Sequence, residues 1–163
     1  AFLDLLDLGA MRAALKAFWP TRGPQWDALG RAGGVRVLVE AKAHLDEMLS
    51  PGTQSGGPSR ARITSAFEEV QQALGLRPGT DWSATFYQYC NRLAHLWWLR
   101  EHGVDAHLVF VSFLNDADMN GPETPEAWTA AYRVAEYALG LPRRHALSAF
   151  IHHVHPDVRQ LRA

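Results

Sequence analysis

Apolar residues recur at helical spacing over residues 2–19 (Leu5, Leu8, Met11, Leu15, Phe18), and Pro20 closes the run. This predicts one helix. Two strand-like segments follow, Gln25 to Gly30 and Val35 to Lys42, around Arg31-Ala32-Gly33-Gly34, a pattern that predicts a β-hairpin. Residues 50–58, rich in Gly, Ser and Pro, read as a loop short enough to act as a mobile flap. Ser59 is placed to cap a helix over residues 60–74, with Ile63, Phe67, Val70 and Leu74 on one stripe and Gly75 as its stop. Asp81 is placed to cap a longer helix from Trp82 to His102, ended by Gly103. An apolar strand over 107–114 comes next. Thr124-Pro125-Glu126 then opens a helix running to Gly140. Residues 146–151 read as a last strand and HHVHPDVR after it as irregular. This order predicts a single α/β domain over residues 1–163, with a mixed central sheet that includes a β-hairpin and is flanked by helices.

The segment Val35 to Lys42 carries the most information. Its side chains alternate, with Val35, Val37, Val39 and Ala41 on one wholly apolar face and Arg36, Leu38, Glu40 and Lys42 on the other. The valine face is the expected dry one. A hairpin loop of even length places Asp27 opposite Leu38, on the face of Glu40 and diagonal to it, roughly 7–8 Å away. Two carboxylates at that separation can share one cation. Mg²⁺ takes oxygen ligands at about 2.0–2.1 Å and keeps several waters, so Asp27, Glu40 and the Ala41 carbonyl would suffice. Lys42, on the same face, could activate a water or stabilise charge on a phosphoryl oxygen.

Composition narrows the partners. The chain has 163 residues, 47% hydrophobic and 20% charged, with a formal net charge of −1. No overall positive field draws it to nucleic acid or to an anionic membrane, so any phosphate-binding surface must be local. Of the 16 basic residues only Lys16 and Lys42 are lysines, which makes Lys42 worth attention. Cys90 is the only cysteine, which excludes an intramolecular disulfide and fits a reducing, cytoplasmic setting. No apolar run reaches the roughly 18 residues of a membrane span. The opening segment carries acids and lacks a basic region, so it does not read as a signal peptide.

Further candidates lie outside the hairpin. Gln88, Asn91, Arg92 and His95 form one helical stripe, either a solvated face or one from which Gln88 and Arg92 approach a phosphate. His44 shares the face of Lys42 if the strand continues. Arg60 and Arg62, at a helix N-terminus beside the serine-rich loop, could cradle a phosphate. Asp116 to Gly121 begins like a calcium loop, but Ala127 stands where the bidentate Glu belongs, so a polar turn is the better reading. His152, His153 and His155 read as exposed histidines at a strand end, and Trp82, Trp97, Trp98 and Trp128 as core.

Asp27 followed across a hairpin by Glu40-Ala41-Lys42, then a long helix bearing Gln88 and an apolar strand, resembles the PD-(D/E)XK nuclease superfamily. The resemblance implies a restriction-endonuclease-like core and hydrolysis of a nucleic-acid phosphodiester, DNA ahead of RNA. It implies Mg²⁺ or Mn²⁺ held by Asp27, Glu40 and Ala41, with Asp27, Glu40, Lys42 and Gln88 in catalysis. Arg60, Arg62, His44 and Arg92 are the candidates for binding substrate. Two departures stand out. Trp26 replaces the proline before the Asp, and residues 2–19 contain no Glu to reach a second metal, only Asp4 and Asp7. The alternative is a nuclease fold that no longer cleaves and serves as a binding or assembly module. A homodimer is compatible with either.

Overall fold

A two-residue turn at Gly33-Gly34 joins β1 (Ala28–Ala32) to β2 (Val35–Lys42). The computed structural model describes residues 2–76 and 79–161. Gly33 sits at φ 60°, the left-handed region a tight hairpin turn needs and glycine enters without a steric cost. The short turn sets the register, with Leu29 opposite Leu38 and Ala28 opposite Val39. Asp27 therefore does not face Leu38, as a four-residue loop would have it. It stands further along β2, at the level of Glu40, and the face expected for it is kept because the loop length remains even.

β3 (Ala106–Ser112) runs parallel to β2, and β4 (Ile151–Val154) parallel to β3, giving a four-stranded mixed sheet in the order β1-β2-β3-β4. Parallel neighbours require crossovers. The connection from β2 to β3 contains α3 (Gly57–Ala73) and α4 (Tyr87–Glu101), and that from β3 to β4 contains α5 (Pro125–Ala138). The chain opens with α1 (Phe2–Leu5) and α2 (Arg12–Phe18) and reaches α6 (Val158–Leu161).

The helices cover the face of the sheet that carries the charges. Leu38, Glu40 and Lys42 of β2, with Leu108, Phe110 and Ser112 of β3, are buried. Val35, Val37, Val39 and Ala41 are only half-buried. The dry face is thus the reverse of the expected one. Apolarity along one strand does not say where helices pack, and the charged face can be buried because its charges pair with one another.

Several element ends also differ from expectation. The first helix is broken: Asp7 takes φ 58°, and its carboxylate pairs with Arg31 on β1 instead of continuing the turn. α3 starts at Gly57 with Pro58 in its first turn, so Ser59 lies inside the helix and is not its cap. Asp81 accepts from Ser83 N–H at 2.8 Å and organises a separate turn before α4 begins at Tyr87. The last strand is Ile151–Val154, so the stretch read as irregular holds a strand and then a short helix. The four tryptophans expected in the core are buried, as are Leu3, Leu6, Phe18 and Trp19. No helix among the described residues is long and apolar enough to cross a membrane.

Candidate active site

The C-terminal half of β2 runs beneath α4, and there the charged side chains meet. Glu40 is 2% exposed and Lys42 5% exposed, so neither relies on water for its solvation. Arg92 Nε donates to Glu40 Oε2 at 2.6 Å, and Lys42 Nζ donates to Glu40 Oε1 at 3.3 Å. Lys42 Nζ also donates to Gln88 Oε1 at 3.0 Å. Lys42 and Arg92 thus share one carboxylate, so each buried cation keeps an anionic partner.

Asp27 completes the arrangement from β1's entrance. Its N–H donates to Val39 O at 3.1 Å, and its Oδ2 accepts from Ala41 N–H at 2.7 Å. Arg92 is fixed from three sides. Besides Glu40 it donates through Nη2 to Gln25 O at 2.7 Å, and its guanidinium carbon lies 4.8 Å from the Trp26 ring centroid. The stripe read as a possible solvated helix face is buried beyond Gln88, with Asn91 7% and Arg92 4% exposed at the site and His95, 1% exposed, among Phe2, Trp19 and Trp26. His95 Nδ1–H donates to the Asn91 carbonyl at 2.9 Å, and burial pushes its imidazole down to about 3, leaving it neutral.

The serine- and glycine-rich loop is not a free flap. Ser50 N–H donates to Thr85 O and Thr53 N–H to Ser83 O, each at 2.9 Å. Gln88 N–H donates to Ser50 Oγ at 2.9 Å, so the loop caps the first turn of α4 from outside the helix. A Cβ at Gly52 would stand 2.6 Å from Ser83 O, which only glycine avoids. The loop thereby fixes the height of Gln88 over Lys42.

A cavity of about 940 Å³ opens between this loop, β2 and the segment Arg22 to Gln25. Asp27, Glu40, Ala41, Lys42, Gln88 and Arg92 all line it, so the hairpin candidates and both helix candidates share one cleft. Three others lie elsewhere. His44 precedes the short turn Leu45–Met48 and faces Glu47 at 3.7 Å. Arg60 is exposed and contributes positive charge near Asp81. Arg62 donates to Lys16 O at 3.2 Å, at the end of α2. Sequence reasoning missed Glu47, which lines the cleft and accepts from Ala43 N–H at 2.6 Å; its spacing from His44 was the available signal.

The donor set suits a hard cation. Asp27, Glu40 and the Ala41 carbonyl offer only oxygen, and each Glu40 oxygen accepts one of the hydrogen bonds above while keeping a further lone pair. Among the described residues no three His, Cys, Asp or Glu side chains cluster as metal ligands, so an ion here would need the backbone carbonyl and water. Comparison with known proteins finds no matching protein family, no similar curated protein and no similar solved structure.

Proposed function

We propose that this chain is a divalent-metal-dependent phosphodiesterase of the PD-(D/E)XK type that cleaves nucleic acid, with DNA ahead of RNA as substrate. The observation that carries the reading is the convergence of Asp27, Glu40, Lys42 and Gln88 on one cleft from separate parts of the chain. Asp27, Glu40 and the Ala41 carbonyl would hold one Mg²⁺ or Mn²⁺, which when bound polarises a phosphoryl oxygen and lowers the pKa of water. Lys42 presents an ammonium whose position Gln88 and Glu40 fix, so it meets an anionic phosphate without reorganising. Arg92 supplies the second positive charge toward the same phosphate. Strand and helix are rigid supports, which suits a reaction that depends on placing groups accurately.

A second reading rests on one observation. Arg92 lies on Glu40 at 2.6 Å, as a permanent neutralising partner would in a fold kept for binding without cleavage. Incubation with single- and double-stranded DNA and with RNA, each with Mn²⁺, separates the two. The nuclease reading expects cleavage that is lost in Lys42→Ala and in Asp27→Ala. Absence of cleavage on every substrate, or cleavage that survives both substitutions, would overturn it.

A further inference from the structure

A second cavity, of about 690 Å³, lies on the other side of the segment Arg22 to Gln25, which also walls the candidate active site. Among the described residues its lining holds Arg12, Lys16 and Arg22 and no carboxylate. In a chain of net charge −1 that is a local concentration of one sign. Arg12 is paired with Asp4, but among the described residues Lys16 and Arg22 have no acidic partner. Arg62, bonded to the Lys16 carbonyl, adds a further cation beside the rim. Half-buried Phe2 supplies the aromatic surface of the wall, with Trp19, 1% exposed, forming core behind it. One of the chain's two lysines thus serves each cavity.

We propose that this second cavity is the binding track for a single strand of nucleic acid whose scissile phosphate lies in the neighbouring cleft. The choice of polyanion rests on the nuclease reading above. The choice of a single strand rests on the cavity itself. Cations spaced along a groove follow a phosphate backbone, and aromatic faces gain from unpaired bases that can stack on them. A duplex keeps its bases stacked on one another and would leave Phe2 unused. The shared wall lets one chain pass from cavity to cleft over Arg22, which lines both.

Fluorescence anisotropy with a labelled single-stranded oligonucleotide, in EDTA so that nothing is cut, tests the track. Wild type should bind the single strand more tightly than the matching duplex. The double variant Lys16→Glu/Arg22→Glu should weaken binding at least tenfold. It should also flatten the log–log salt dependence by about 1.4, the value for two lost phosphate contacts. Phe2→Ala should weaken binding about fivefold or more, whereas Arg143→Glu/Arg144→Glu, equal in charge on a distant exposed patch, should stay within twofold. Unchanged affinity in the Lys16/Arg22 variant, tighter binding of duplex, or no binding of either nucleic acid overturns the track. Cleavage that needs Lys42 but ignores Lys16 and Arg22 would sink the track and leave the nuclease reading standing. Track-dependent binding without cleavage under Mn²⁺ would do the opposite.

Discussion

Arg92 Nε stands 2.6 Å from Glu40 Oε2, across 52 residues of sequence, with both side chains almost fully buried. In the proposed enzyme this guanidinium holds the carboxylate that a metal ion must share. Stability and metal affinity then make opposite demands on Arg92. Arg92→Gln should lower stability by about 3 kcal/mol, the scale for breaking a buried pair. The same change should tighten Mn²⁺ binding about tenfold. Urea denaturation and isothermal titration check the two halves separately; lost stability with no gain in affinity would show that Arg92 does not compete for Glu40.

Glu40→Gln removes the carboxylate that pairs with both Lys42 and Arg92, leaving two buried cations without it. It should cost about 3–5 kcal/mol, more than Asp27→Asn at its exposed position. Urea midpoints of the two variants measured side by side decide this. Equal losses would mean that the Glu40 cluster is not buried as described.

Gly52→Ala should destabilise the chain by about 1–3 kcal/mol, because its Cβ would strike the Ser83 carbonyl at 2.6 Å. The loop must then lift, and Ser50 leaves the Gln88 amide it accepts from. Faster hydrogen exchange at the Gln88 N–H would accompany the loss. An unchanged amide would contradict the idea that the loop sets the position of Gln88.

His95 predicts an acid limit to stability. Its folded pKa, pushed by burial to about 3, lies below the ordinary 6.5, so the unfolded chain takes up the proton first as pH falls. The stability tied to neutral His95 is therefore complete above pH 6.5 and is lost progressively between 6.5 and 3. By pH 4 the loss should be about 3 kcal/mol. His95→Met, which does not titrate, should lose that much less than wild type between pH 7 and pH 4. Parallel pH profiles would show that His95 is protonated when folded.

Much of this was legible in the chain, and the misses have physical causes. Strand β2 was readable residue for residue because its period-two pattern starts directly after Gly33-Gly34 and needs no tertiary information. The common face of Glu40 and Lys42 followed from the same alternation. Gln88 was placed near them only through the resemblance to the nuclease pattern, since nothing in the helical period says which strand that helix packs on. The half-buried valine face was not legible, since which side of a sheet the helices cover is decided by their connections. The length of the hairpin turn was also hidden, because Arg31 and Ala32 are compatible with either strand or loop. Arg92's bond to Glu40 is a contact between distant segments, and a helical stripe alone could not separate a solvated face from a charge buried against a partner.

In the proposed enzyme Asp27, Glu40 and the Ala41 carbonyl would form the site for one divalent cation. Isothermal titration of Mn²⁺ into the metal-free chain, alongside Asp27→Asn and Glu40→Gln, tests it most directly. Wild type should take up one ion per chain, with at least a tenfold weaker affinity in each variant that remains folded by circular dichroism. Wild-type chain that takes up no Mn²⁺, or both variants binding it as tightly as wild type, would rule out a cation site on these residues.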